Sequence, residues 1–233
     1  MFSSRLKSGD VVDVGSASVR LAVNARARRI GLRIDAAGQV VATAPSTRAL
    51  PQALAFARAR SGWIAERLTA RPQAVALEPG STIPVRGRPV RLVAEPGRRA
   101  ARLEGETVVA GGEGDAFARR VLRLLRAEAL ADLRAATARH VAALGKPIPT
   151  VAVADARTRW GSCTPGRGTI RYSWRLILSP PPVLDYVAAH EVAHLAEANH
   201  SPAFWAVVAR LYGDPKPART WLKAHGAALH AVG

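Results

Sequence analysis

The chain has 233 residues, of which 48% are hydrophobic and 22% are charged, and its formal net charge is +17. This composition excludes an extended disordered polypeptide, and the length allows one large domain or two small ones. We find no apolar run long enough for a transmembrane helix or a secretory signal, and the single cysteine, Cys163, fits a reducing compartment. We therefore expect a cytoplasmic protein without a membrane partner. The basic charge is spread along the chain and favours only weak polyanion binding.

Short alternating patterns and one helical pattern occupy the first part of the chain. Every second residue is apolar over residues 30–44, with residues 35–38 as a turn, which predicts a β-hairpin. A further strand is expected at residues 18–23. Apolar residues at helical spacing predict one helix over residues 49–71.

The rest of the chain predicts more strands and then several helices. Strands are expected at residues 85–93 and 101–109, and an apolar stripe predicts a long helix at 115–144. From residue 150 the expected elements are a strand at 150–154, a loop at 157–168, a strand at 169–178, and helices from about 183, at 202–212 and at 218–230. The fold class is therefore α+β, with a β-rich region over residues 1–114 that contains one helix, and a second region over 115–233. We find no internal repeat of solenoid length.

The most informative stretch is His190-Glu191-Val192-Ala193-His194. Two histidines four residues apart leave the same face of a helix, so both imidazoles can bind one metal ion. Glu191 then lies beside the metal without binding it, which suits a carboxylate that takes a proton from water.

A third histidine follows at a break in the helical pattern. His200 would face away from the pair on a continuous helix, but Asn199, Ser201 and Pro202 are typical of a helix end followed by a new helix start. The turn can bring His200 back to the metal. Three nitrogen ligands with an open fourth position are typical of a catalytic zinc site.

Two neighbouring residues keep alternative interpretations. Cys163 is either a fourth ligand, which would close the site and abolish catalysis, or a small residue in a turn. Glu197 is either a hydrogen-bond partner of a ligand imidazole or a solvated helix residue.

These residues belong to a longer pattern that resembles the YgjP-like metallopeptidase-domain family, whose more distant relatives are the SprT-like and WLM zinc proteases. The similar segments are Arg-Trp-Gly-Ser-Cys at 159–163, Ile-Arg at 170–171, Trp-Arg-Leu-Ile-Leu at 174–178, Asp-Tyr-Val at 185–187, His-Glu-x-x-His-Leu at 190–195, Asn-His-Ser at 199–201 and Phe-Trp at 204–205. The resemblance implies a zincin-like core, in which an active-site helix packs on a small antiparallel or mixed sheet. It also implies one Zn²⁺ per chain, bound by His190, His194 and His200, with Glu191 as the catalytic acid and base.

Candidate substrate-binding residues surround this motif. In a zincin, the predicted strand at 169–178 can present a free edge to an extended substrate. Arg171 and Arg175 share one face of this strand, and Arg157 and Arg159 precede it. These arginines either bind an anion near the site or are exposed charges. The candidates for stabilising the transition state are Tyr172, Tyr186 and the same arginines.

Three functional hypotheses follow. The first is a zinc-dependent hydrolase that cleaves polypeptides. The second is a nucleotide phosphoanhydride hydrolase, or pyrophosphatase, at the same metal site, with guanidinium groups binding phosphate. No glycine-rich phosphate loop supports it. The third is a basic nucleic-acid-associated protein with a vestigial site, and the intact Glu191 counts against this hypothesis.

Overall fold

The structure, a computed structural model, describes residues 6–35, 38–70, 72–156 and 158–233. Contacts divide the chain into two compact units, Met1–Arg71 and Pro72–Gly233. The boundary expected after residue 114 falls inside the second unit, so the structure divides the chain earlier than the sequence analysis does. None of the helices in these described ranges is long and apolar enough to cross a membrane.

The first unit is a four-stranded sheet followed by two helices. Its elements are β1 Val11–Val14, β2 Ala17–Val23, β3 Gly31–Ile34, β4 Val40–Ala44, α1 Leu50–Ala59 and α2 Ser61–Thr69. The strand order is β1–β2–β4–β3, with β2 and β4 parallel and the outer pairs antiparallel. The predicted hairpin is confirmed by the pairing of β3 with β4, although residues 36 and 37 of its turn lie outside the described ranges.

The single helix predicted over residues 49–71 is wrong. The backbone of Arg60 leaves the helical conformation, with φ −111° and ψ 18°, and a second helix begins at Ser61. Ser61 and Gly62 follow one another at this point, and glycine is a weak helix former, so the break costs little. The break still lets Ile64 of α2 join the same core as Leu54 and Ala57 of α1.

The second unit begins with another four-stranded sheet. Its strands are β5 Thr82–Val85, β6 Arg88–Ala94, β7 Arg102–Glu104 and β8 Thr107–Ala110. The strands predicted at 85–93 and 101–109 are therefore wrong in their extent, because each contains a hairpin turn. Positive φ values at Arg86, Gly87 and Gly105 reverse the chain in these turns.

The two four-stranded sheets form an internal repeat. The second sheet has the order β5–β6–β8–β7, with the same pattern of parallel and antiparallel pairs as the first. Residues 9–23 and 80–94 align without a gap, 71 positions apart, with identical residues at Gly9/Gly80, Val14/Val85, Val19/Val90, Arg20/Arg91 and Leu21/Leu92. In each copy the glycine N–H donates to the leucine carbonyl at 2.8 Å.

The long helix α3, Gly114–Leu144, confirms the prediction from its apolar stripe and ends at Gly145 in the left-handed conformation. A three-stranded sheet follows, formed by β9 Thr150–Ala154, β10 Gly161–Thr164 and β11 Thr169–Ser173. Its order is β10–β11–β9, with β10 and β11 antiparallel and β11 and β9 parallel.

Two predictions around this sheet are wrong. The loop predicted at 157–168 contains β10, and the strand predicted at 169–178 ends at Ser173. Residues Trp174–Leu178 form a 3₁₀ helix in which all five side chains are buried. An alternating apolar pattern cannot distinguish a half-buried strand from a short helix that is buried on every side.

Three helices complete the second unit: α4 Pro181–Ala193, α5 Pro202–Tyr212 and α6 Lys216–His230. They follow the prediction closely. One core joins the second four-stranded sheet, α3, the three-stranded sheet and these helices, and α4 contacts β10 directly. The predicted α+β class is confirmed, with the histidine-bearing helix packed on a small mixed sheet.

Candidate metal centre

Helix α4 carries the first two histidines of the candidate centre. Pro181 and Pro182 occupy its first turn, where proline is tolerated because the N–H has no helical partner. Most of the helix is buried. His190 lies in its last turn and His194 directly follows its end, one turn further along the same face.

His200 joins them through the predicted helix break. Ser201 caps α5, with its hydroxyl accepting the N–H of Phe204 at 3.3 Å, and Pro202 occupies the first turn. Ligand nitrogens of His190, His194 and His200 all lie within 4.8 Å of one another. The Nε2 atoms of His190 and His200 are 3.1 Å apart, close to the roughly 3.3 Å between two ligands of a tetrahedral zinc ion. The three imidazoles therefore fit a metal ion.

The surroundings of His190 and His194 favour the neutral imidazole, which is the form that binds metal. Burial and the nearby His194, His200 and Arg219 lower the pKa of His190 to about 4. Burial also lowers the pKa of His194, although its hydrogen bond to the main-chain carbonyl of Glu197 opposes the shift. That contact, 3.1 Å from Nδ1, orients the ring of His194 and leaves Nε2 for the metal. Glu197 thus supports the ligand through its main chain.

Glu191 is 5% exposed and lies between α4 and β10. Burial raises its pKa to about 7, while the charge of Arg159 and a hydrogen bond from the main-chain N–H of Cys163 lower it. A Cβ atom at Gly161 would lie 2.5 Å from Oε1 of Glu191, so only glycine fits beside this carboxylate. Burial, and to a smaller extent the negative charge of Glu191, raise the pKa of the Cys163 thiol to about 11.

The free sheet edge at the centre belongs to β10 and not to β11. Strand β11 lies between β10 and β9, so the edge predicted for residues 169–178 is already paired. N–H and C=O groups of alternate residues point to the same side of a strand. The N–H of Ser173 donates to the carbonyl of Trp160 at 2.8 Å, so Trp160 and Ser162 face β11, while Gly161 and Cys163 face away from it and line the cleft with the histidines.

The structure separates the predicted substrate-binding residues. Tyr172 is 1% exposed, and its hydroxyl bonds to Thr137 at 2.9 Å. Arg175 is buried, paired with Asp155 and bonded to the carbonyl of Val232.

The side chains of Tyr172 and Arg175 are therefore part of the buried interior of the unit. Two clefts open beside the histidines. Arg159 lines one of them, whereas Arg171 is exposed on β11 and lines neither. Arg157 lies outside the described residues.

Several residues near the centre escape the sequence analysis. Arg219 of α6 lies in the same cleft as Arg159, and its guanidinium is 4.7 Å from the ring centre of Trp205. Phe204 packs against all three histidine rings. Nothing in the local sequence marks Arg219, because only the packing of α6 brings it near His190.

A first cleft of about 380 Å³ opens on the three histidines, Glu191 and β10. Cys163 also lines this cleft, but among the described residues it is not part of the group of possible ligands. Three converging imidazoles beside a buried carboxylate define a metallopeptidase-like centre.

Comparison with known proteins agrees with this class. The family model of the YgjP-like metallopeptidase domain matches residues 28–225, and the chain belongs to this family. The resemblance inferred from the sequence is thereby confirmed, and the family implies a metal cofactor. No curated protein matches the chain significantly. Among solved structures, the metallopeptidase zymogen of Pyrococcus abyssi abylysin matches with 18% identity and a TM-score of 0.37, covering 40% of this chain and 92% of that one.

Proposed function

We propose that this protein is a zinc-dependent peptidase, with one zinc ion per chain held by His190, His194 and His200. The observation that carries the proposal is the group of imidazole nitrogens within 4.8 Å, in one cleft with the buried carboxylate of Glu191. Three nitrogen ligands are the donor set of catalytic zinc sites, and structural sites are more often closed by thiolates. The position of Cys163 outside the ligand group supports an open fourth position.

The chain's own residues supply the proton transfers. Zinc held by the imidazoles would polarise the peptide carbonyl and make water a stronger acid. Glu191 takes the proton from the attacking water and passes it to the nitrogen of the leaving amine. A pKa of about 7 suits a carboxylate that must accept and then donate a proton near neutral pH. The Cys163 N–H and the bare backbone of Gly161 position this carboxylate.

An extended polypeptide fits the free edge of β10. Pairing with the outward main-chain groups of Gly161 and with the carbonyl of Cys163 would lay the substrate along the strand, across the cleft that contains the histidines. Main-chain pairing of this kind favours unfolded or loop segments, because their N–H and C=O groups are free.

The family match does not favour the other two hypotheses. Hydrolysis of nucleotide phosphoanhydrides rests on the same metal site with arginines as phosphate ligands, and nucleic-acid binding rests on the net charge alone. They enter the experiment as competing outcomes.

The test replaces Glu191 with Gln and measures bound zinc and turnover separately. We expect Glu191→Gln to keep one zinc per chain and to lose roughly 10²- to 10⁴-fold of its activity on an unfolded polypeptide. Glu106→Gln, the same substitution at an exposed site in the second unit, is the control and keeps both properties. Full activity of Glu191→Gln, or turnover of nucleoside triphosphates without cleavage of polypeptides, would contradict the proposal.

A further inference from the structure

A second cleft adjoins the candidate centre at the start of β10. Its volume is about 340 Å³, and it shares Gly161, His190 and Glu191 with the first cleft. Its remaining walls are Arg159, Trp160, Tyr186, Val187, Arg219 and Leu222. A substrate lying along β10 therefore passes from one cleft to the other, with His190 and Glu191 between them.

Two arginines set the charge of the second cleft. Arg159 and Arg219 are both exposed, and neither has a carboxylate within ion-pair distance in the part of the chain that the structure describes. The guanidinium carbon of Arg219 lies over the ring of Trp205, 4.7 Å from its centre, and a cation–π contact of this kind leaves N–H groups of the guanidinium for a ligand. Both arginines line the same cleft as His190 and Glu191, so their positive charge lies beside the candidate centre.

We infer that the second cleft binds a carboxylate of the polypeptide substrate, held by Arg159 and Arg219, and so selects where the chain is cut. This inference rests on the proposed peptidase function. A guanidinium matches the two oxygens of a carboxylate with two parallel N–H bonds. The side chains of Val187 and Leu222 offer an apolar wall for the carbon stem that carries the carboxylate.

The direction of pairing indicates which part of the substrate reaches the arginines. Strand β10 runs from Gly161 to Thr164, and Arg159 precedes it. A substrate paired antiparallel to β10 runs the opposite way, so the residues that follow the cut bond lie toward Arg159. The carboxylate is then an acidic side chain after the cut bond or the C-terminal carboxylate of the substrate. Both sources share the same chemistry.

The experiment measures binding in the zinc-loaded Glu191→Gln protein, where turnover does not interfere. Four labelled peptides share one sequence except at a single position after the expected cut, which is either Glu or Gln. Each of the two sequences is made with a free and with an amidated C-terminus. We expect a carboxylate to tighten binding roughly ten- to hundredfold, and the pair of peptides that shows the difference identifies the source. Adding Arg159→Gln or Arg219→Gln reduces the preference to below about threefold. Arg219→Lys keeps the charge without the paired N–H edge and gives an intermediate value.

Arg210→Gln is the matched control, because Arg210 is an exposed arginine on α5 that lines neither cleft. It keeps the full preference. Equal binding of all four peptides, or an equal preference in Arg219→Gln, would overturn the inference. Tight binding of a nucleoside triphosphate that depends on both arginines, without discrimination among peptides, would also overturn it.

Cleavage assays with the wild-type protein distinguish a failure of the peptidase proposal from a failure of the carboxylate site. If it cleaves none of the peptides while the binding preference and its dependence on Arg219 persist, the peptidase proposal fails and the carboxylate site stands. If it cleaves all four peptides equally well, the peptidase proposal stands and the carboxylate site fails.

Discussion

The first four-stranded sheet is followed by two short helices, and its copy in the second unit by the 31-residue helix α3. Both sheets have the same strand order and bury equivalent residues, such as Leu21 in β2 and Leu92 in β6. Leu21 packs in a core made only from the first unit. Leu92 belongs to the core that also contains Val192 of α4, between the two histidines of the motif.

The turn between the first two strands of each sheet shows the same difference in packing. In the second sheet, the N–H of Arg86 donates to the carbonyl of Ile177 at 2.6 Å, and its guanidinium bonds to Glu128 and Asp132 of α3. Those carboxylates hold the pKa of Arg86 well above its usual range against the effect of burial. The same strand order thus encloses a separate core in the first sheet, whereas the second sheet packs in the core that contains the helix of the candidate metal centre. The difference lies in what each sheet packs against.

The largest expected effect comes from truncating the equivalent leucines. Leu92→Ala and Leu21→Ala each remove a fully buried side chain, which costs about 2–5 kcal/mol in the unit concerned. Hydrogen exchange read by mass spectrometry reports each unit separately. We expect Leu92→Ala to accelerate exchange in α3 and α4 and to weaken zinc retention.

Leu21→Ala serves as the matched control. It should accelerate exchange only in β1–β4, α1 and α2, because the two cores share no residue. Faster exchange in α4 after Leu21→Ala would show that the units are energetically coupled, and the comparison would then break down.

Zinc binding should stabilise only the second unit, by an amount nearly as large as the effect of truncating a leucine. A ligand that binds only the folded form stabilises it by about 2.7 kcal/mol at a hundred times its dissociation constant. For the second unit this corresponds to a rise in Tm of roughly 5–10 °C. The unfolding of the first unit, followed by hydrogen exchange, should not change. His194→Ala should abolish the rise, and an equal response of both units to zinc would contradict a centre confined to residues 72–233.

Sequence periodicity predicted those elements whose pattern extends over many residues. The apolar stripe of α3 fixed its limits within one residue, and the spacing of His190, His194 and His200, with a break before Ser201, predicted their convergence. Both signals are local, because they depend only on helix geometry and on capping residues.

The errors arise where the deciding contact is distant in the chain. An alternating pattern continues through the turn at Arg86, so one long strand was predicted where the structure has two. Arg175 was a substrate-binding candidate because it shares a face of the predicted strand with Arg171, but in the structure Asp155 and the carbonyls of Val232 and Gly233 bind its buried guanidinium. Arg219 was not predicted at all, since only the fold brings it to the second cleft.

The turn glycines offer a smaller test of the comparison. Gly15 and Gly87 lie in the first hairpin of each sheet, both at positive φ. A Cβ at Gly87 would lie 3.0 Å from the backbone of Pro180, just before α4, whereas one at Gly15 would lie 3.6 Å from Cβ of Ser61. We expect Gly15→Ala to cost about 1 kcal/mol from backbone strain, and Gly87→Ala to cost about 2–3 kcal/mol because a steric contact is added.

Urea titration of both variants, with hydrogen exchange to assign the unit, measures the two costs. Equal costs would mean that Pro180 moves away freely, and that the hairpin of the second sheet does not constrain the start of α4.

The smallest expected effect is a pH dependence confined to the second unit. Asp185 of α4 lies 2.9 Å from both His140 and Arg139 of α3. Burial raises the pKa of Asp185, but these partners outweigh it and the pKa lies below its ordinary value. An acid with a depressed pKa adds stability above its unfolded-state pKa of about 4, and this stability is lost as pH falls through the folded-state pKa.

The Tm of the second unit should therefore be lower in Asp185→Asn than in wild type at pH 6, and the two values should converge as the pH falls below about 4. Asp13→Asn is the control in the first unit, where the carboxylate accepts a hydrogen bond from Ser18 at 2.8 Å. It should leave the second unit unchanged at every pH. A constant difference between Asp185→Asn and wild type down to pH 3 would show that packing, and not the charge of Asp185, joins α4 to α3 at this point.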